Sequence, residues 1–248
     1  MKSFFSRRFV QLACGLAALT ALAPLAGAIA PVASLGAQVG YPPSESPYRD
    51  LQGRQVFTIA PGWIMPGDDP AGVGPGSGLM VSGRYELFLT GPLWLVSRIG
   101  YAPGLERTIK DPEVTGAARI VGAKDEPLVL ADVGFGLNLT GNKSWHRITP
   151  RVLGSLGMVS TFDSEYDLGE YRFGTKFVVS YGLGARISTG SAWEINTEFT
   201  HMFWQMKYPD SYGGDGSATD ESIIGRGKLA PWQGNFMLSI GLSRYFGR

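Results

Sequence analysis

Residues Trp232–Phe246 read WQGNFMLSIGLSRYF. Trp232, Phe236, Leu238, Ile240, Leu242 and Phe246 fall on even positions, while Gln233, Asn235, Ser239, Gly241 and Ser243 fall on odd ones. A period of two puts these sets on opposite faces of a β-strand. A strand of this length, with aromatics closing both ends of its apolar face, is suited to crossing a membrane with that face toward lipid. It cannot do so alone, because its backbone N–H and C=O groups need partners in hydrocarbon. The pattern must therefore recur.

It recurs upstream in Arg54–Met65, Leu79–Thr90, Leu93–Tyr101, Pro127–Leu139, Trp145–Thr161, Phe173–Ile187 and Ala192–Lys207. Three connections are short: Gly91-Pro92, Thr140–Ser144 and Ser188–Ser191. They have hairpin-turn composition. The alternate connections, 66–78, 102–126, 162–172 and 208–231, are long. This alternation predicts an all-β fold, an eight-stranded antiparallel up-and-down transmembrane β-barrel. The last strand should pair with Arg54–Met65 and leave no free edge.

The N-terminus reads as a targeting segment. Lys2, Arg7 and Arg8 precede an apolar run from Phe9 to about Ala30, with small residues at Ala26-Gly27-Ala28 and Gly36-Ala37. Residues 1–37 are expected to be a signal peptide cleaved somewhere within 28–37. Residues 38–53, rich in proline and polar groups, follow as a periplasmic N-terminal extension, and 54–248 form the barrel. Cleavage removes Cys14, the single cysteine, and leaves 19 basic against 21 acidic residues from the original 22 and 21. Thiol chemistry and a nucleic-acid partner are excluded on this basis.

The face opposite the apolar one collects Arg84, Glu86, Arg98, Asp132, Arg147, Arg151, Lys176, Arg186, Glu194 and Glu198. Charges in a membrane must pair or meet water. An eight-stranded barrel is just wide enough for side chains to fill it. These ten residues are expected to form a paired lumen network that blocks free flow. Trp63, Tyr101, Trp145, Trp193, Phe203, Trp232 and Phe246 are expected as interface aromatics. Arg244 and His201 fall on the apolar face, where long or amphipathic side chains can reach the membrane boundary.

No catalytic motif reaches useful specificity. His146 and His201 should lie at opposite ends of the barrel, which excludes a two-histidine metal site, and no thiolate is available. Gly134-Phe135-Gly136 lacks the third glycine and following helix of a dinucleotide site. Asp210, Asp215, Asp220 and Glu221 form an acidic loop that reads as solvated surface rather than as a calcium site. No catalytic, cofactor-binding or metal residues are expected, and the chain is not expected to be an enzyme.

The eight amphipathic strands, the short-long alternation, the signal peptide and the aromatic last strand together resemble the small outer-membrane barrels of the OmpA, OmpX and OmpW type, across residues 54 to 246. The resemblance is one of architecture. It implies a monomer in the outer membrane of a Gram-negative-type bacterium, with both termini periplasmic. It implies contact with outer-membrane lipid and lipopolysaccharide, and insertion by the barrel-assembly machinery. Roles in that group span envelope integrity, adhesion through external loops and passage of small hydrophobic compounds. A plugged structural or surface-interaction protein is therefore the leading expectation. A transporter of small hydrophobic molecules is the alternative, and an interfacial lipid-modifying enzyme using His201 is the third. The chain departs from the group by ending Tyr245-Phe246-Gly247-Arg248 instead of on the aromatic.

Overall fold

The computed structural model describes residues 46–246 apart from 52, 163–164 and 218–220. The expected signal peptide, most of the extension, Asp220, Gly247 and Arg248 lie outside the described residues. Ten strands form: β1 (Tyr48–Asp50), β2 (Gln55–Pro66), β3 (Gly78–Thr90), β4 (Leu93–Lys110), β5 (Ile120–Asn138), β6 (Lys143–Trp145), β7 (Ile148–Thr161), β8 (Thr175–Ser188), β9 (Trp193–Gln205) and β10 (Trp232–Phe246). β2, β3, β4, β5, β7, β8, β9 and β10 pair in that order, all antiparallel, and β10 returns to β2. The result is a closed, eight-stranded antiparallel barrel, as the alternating pattern predicts.

β10 begins and ends where its sequence pattern does. Its residues alternate strictly, Gln233 to Tyr245 buried on odd positions and Trp232 to Phe246 outward on even ones, with Gly234 half-buried. The same alternation runs around the wall, so that Ile99, Leu183 and Ile240 are 64%, 60% and 59% exposed. A continuous belt of such residues would not stand in water. With arginines and glutamates buried inside, it makes this a transmembrane barrel, apolar face to lipid and polar face to the lumen.

Gln55 pairs with Phe246, so the described termini lie at one end together with the short connections. This is the turn end, and the long connections gather at the opposite, loop end. There the structure departs from the sequence reading. The stretch 102–126 is largely strand: β4 runs on to Lys110 and β5 starts at Ile120. The hairpin bulges between Ala102 and Leu105 and ends in a connection containing a 3-10 turn, Gly116–Arg119. Pro103 and Gly104, which read as a strand end, sit at that bulge, where a missing ladder hydrogen bond is tolerated.

The turn end differs too. The segment expected to start as one strand at Trp145 is broken. His146 and Arg147 both have positive φ (47° and 69°). They reverse the chain so that β6 folds back on β7 and also pairs with β1. A two-residue turn with both central φ values positive has the twist that hairpins favour. Tyr48–Asp50, within the expected extension 38–53, thus pairs with the sheet through β6.

β5 and β7 approach closely because of glycine. A Cβ added at Gly157 would come within 2.2 Å of the Ala131 carbonyl oxygen, whereas one at Gly154 meets nothing within 4 Å. Gly157→Ala should therefore destabilise the barrel by about 1–3 kcal/mol through overpacking. Gly154→Ala should stay within about 0.5 kcal/mol of the unsubstituted protein. Urea unfolding in lipid vesicles measures both.

Candidate functional site

The lumen is where the sequence concentrates its chemistry, and the structure fills it in layers. At the turn end, Val56, Trp94 and Tyr245 form a buried apolar floor against which Leu51 and Phe88 pack. Leu51 is carried there by the segment that follows β1, its N–H bonded to the Asn142 carbonyl at 3.0 Å.

Above the floor lies the ionic layer, and Glu86 is its hub. Arg151 donates two hydrogen bonds to the Glu86 carboxylate, both 2.8 Å. Arg186 donates a third, and Arg84 stands 3.8 Å away. Arg186 also bonds the Tyr245 hydroxyl at 3.1 Å and lies 5.2 Å over the Trp94 ring, joining the layer to the floor. From Arg84 the chain of charges continues to Glu198, which Arg84 meets at 2.6 Å and Arg98 approaches to 3.7 Å. Arg98 ends the chain on Asp132 through Nε at 3.0 Å and through Nη2. Glu86 and Glu198 are each shared by bases from other strands, so the network ties the wall together across the lumen. One crevice beside Arg84, Arg98, Asp132, Ser180 and Glu198, lined also by Phe135 and Tyr181 of the wall, has a volume of about 10 Å³, no more than one water needs.

The third layer, toward the loop end, is apolar. Ile64, Met80, Leu128, Leu130, Val159, Val178, Met202, Trp204 and Met237 point inward and are buried. Residues from the loops fill the space above them: Ala71, Val73, Tyr171, Phe173, Tyr208 and Tyr212. The tyrosines stack on one another, with ring centroids 5.9, 6.1 and 6.2 Å apart. Arg107 pins this lid. It bonds Glu126 and Asp167, the latter at 3.0 Å through Nη2, and lies 5.5 Å from the Tyr171 ring centroid. Asp69 fixes the β2–β3 connection by accepting the N–H groups of Ala71 (3.0 Å) and Val73 (2.7 Å) and the hydroxyl of Tyr208.

Of the ten expected lumen residues, Arg84, Glu86, Arg98, Asp132, Arg151, Arg186 and Glu198 form the network. Glu194 is buried beside Tyr245 and Arg186 at the turn end. Two placements are corrected. Arg147 is exposed, because it sits in the two-residue turn and not on a strand. Lys176 is buried but stands apart, its ammonium 4.7 Å over the Phe173 ring in the apolar layer. Arg107, Glu126 and Asp167 were not foreseen. The continued alternation of Leu105 and Arg107 against Glu106 was the available signal, masked by Pro103-Gly104.

Trp63, Tyr101, Trp145, Trp193, Trp232 and Phe246 are exposed on the outer wall, and Phe203 is half-buried there. His201 lies on the same face, its Nδ1 2.9 Å from the Tyr181 hydroxyl and its ring stacked 4.1 Å from Phe236. Its polar partner is thus a phenol. Among the described residues no group of three or more His, Cys, Asp or Glu side chains is placed to hold a metal ion.

No family model matches the chain, and no curated protein matches it. Solved structures similar to it include the outer membrane protein OprG from Pseudomonas aeruginosa, at 9% identity and TM-score 0.49, covering 82% of this chain and 100% of that one. The outer membrane protein AlkL in DMPC bilayers is similar at 15% identity and TM-score 0.44, covering 84% and 96%. Neisserial surface protein A is similar at 11% identity and TM-score 0.44, covering 77% and 97%.

Two predictions follow from the layers. Glu86→Gln removes the charge that three buried guanidinium groups share, and should cost about 3–5 kcal/mol of stability, read from denaturant unfolding in vesicles. The lid titrates at high pH. Burial, then the nearby Asp167, pushes the Tyr212 hydroxyl up to about 12 from 10.0. Burial also raises Tyr171 and Tyr208, the latter helped by its bond to Asp69. Between those pH values the unfolded lid loses protons that the folded lid keeps, so its stability falls as pH rises through that window. Alkaline absorbance titration should show a late phenolate wave, and Tyr212→Phe should diminish it.

Proposed function

We propose that this chain is an outer-membrane barrel whose lumen is a structural plug and whose long loops are its working surface, with both termini periplasmic. The observation that supports this most is the stacking of three filled layers, apolar floor, ionic network and capped apolar core, along the lumen. On this reading the protein is not an enzyme. It reaches the membrane through the barrel-assembly machinery and meets lipopolysaccharide on its outer rim. The purified barrel should give no steady single-channel currents in planar bilayers, and reproducible currents would sink the plugged reading. Asp215→Cys, in a loop, should react with a membrane-impermeant thiol reagent on intact cells. Asn142→Cys, at the turn end, should react only after the envelope is opened. The reverse pattern would overturn the orientation.

A second reading, passage of small hydrophobic molecules, is favoured by one feature: the loop half of the lumen holds a buried apolar layer that includes Ile64, Met80, Leu130, Val178 and Met202, with Lys176 the one charge the layer itself takes in among the described residues placed above. It requires the tyrosine lid to open and an exit through the wall, since the ionic layer lies below. Tyr171→Ala would then speed uptake of an apolar dye into vesicles carrying the protein. Unchanged uptake leaves the plug as the better account.

A further inference from the structure

The lipid-facing side of the closing seam carries a groove of about 1030 Å³, as large as the upper end of small-ligand sites, which run to roughly 1,000 Å³. Ile59 and Pro61 of β2, Ile240 and Leu242 of β10, and Ile195 of β9 line it, with Trp193 and Arg244 at the end nearer the termini. Behind the groove the β10–β2 ladder is interrupted. Pairing runs from Asn235–Pro66 to Ser239–Gly62 and resumes at Leu242–Ile59 in the same register. The gap falls at Pro61, which has no N–H to give to the ladder. A gap of this kind facing hydrocarbon is costly unless something covers it.

Arg244 supplies the second observation. It is outward and exposed, at the turn-end rim of the apolar belt, and has no carboxylate partner among the described residues. Its guanidinium lies 5.2 Å over the Trp193 ring, which holds it at the mouth of the groove. A cation on the lipid face needs an anion at the headgroup level. A guanidinium matches phosphate with two parallel hydrogen bonds. The groove thus offers an apolar trough with a phosphate-seeking group at one end.

We propose that the seam groove holds one anionic glycerophospholipid, its phosphate on Arg244 and an acyl chain over Ile59, Pro61, Ile240 and Leu242, covering the interrupted ladder. This rests on the outer-membrane orientation above, which puts the turn end in the inner, phospholipid leaflet.

Native mass spectrometry of the full mature barrel in mild detergent, titrated with phosphatidylglycerol, tests it. One lipid should bind ahead of the rest. Arg244→Gln should weaken that first adduct roughly fivefold, while Arg54→Gln, removing another exposed arginine at the same rim, should leave it unchanged. Ile240→Trp keeps Arg244 but fills the trough, and should also weaken the adduct. Each variant is scored only after it shows the heat-modifiable gel mobility of a folded barrel. Equal retention in Arg244→Gln, equal loss in Arg54→Gln, or a first adduct indifferent to Ile240→Trp would overturn the proposal. Failure of the membrane reading would look different: the unsubstituted protein would be released from membranes without detergent and would show no heat-modifiable mobility.

Discussion

In hydrocarbon an unpaired backbone amide has no water to turn to, and the closed ladder from β2 round to β10 answers that constraint. Because the sheet ends on itself, every stave has two neighbours, and side chains are sorted into those that meet lipid and those that meet the lumen. The sorting leaves little freedom. A one-residue slip at any pairing would send a set of isoleucines inward and a set of arginines into lipid. Registers such as Arg84 against Arg98, or Arg98 against Asp132, are fixed by this penalty. The seam is the place where the constraint is met least fully, since Pro61 interrupts the ladder that closes the barrel.

A barrel of eight strands has no room for a hydrated channel once its inward residues are large. Four arginines then face one another across a few ångströms, and only interleaved acids make that arrangement bearable. Glu86 and Glu198 each serve more than one guanidinium, which is why the network reaches across the lumen instead of forming pairs between adjacent strands. Such a network is weak evidence for net stability, because its desolvation cost is large. Its effect is on uniqueness: Glu86 and Glu198 have partners on several strands, and a barrel with shifted pairings would strand one of those charges.

The barrel itself was legible in the sequence because each strand's two faces are written locally, in alternate residues. Trp232–Phe246 shows this most fully, its ends coinciding with those of β10. Most lumen charges were legible for the same reason. What failed depended on information that alternation does not carry. Arg147 has the right parity for the lumen, but two positive-φ residues turn the chain just where it sits. Lys176 has lumen parity as well, yet parity gives no height along the axis, and at its height the ammonium lies over Phe173, apart from the ionic network. Arg107 was hidden because Pro103-Gly104 resembles a strand end. Its partner Asp167 lies 60 positions further on, in a loop with no periodicity to read.

The same height coordinate separates the lumen into an ionic half and an apolar half, and the order of the two has a consequence for any solute. An ion entering from the turn end finds compensating charges as far as Asp132 and Glu198, then faces a layer dominated by methionine, leucine, valine and tryptophan side chains, a poor substitute for its hydration. An apolar molecule entering from the loop end finds congenial surface below the tyrosines, then meets carboxylates and guanidinium groups whose pairing it would have to break. Each half therefore excludes what the other would tolerate. On the plugged reading, opening one layer alone does not make a path, and the lid and the network would act as independent barriers and not as two parts of one gate. On the second reading, a molecule that uses the apolar half must leave through the wall, and the interruption of the β10–β2 ladder lies behind the seam groove.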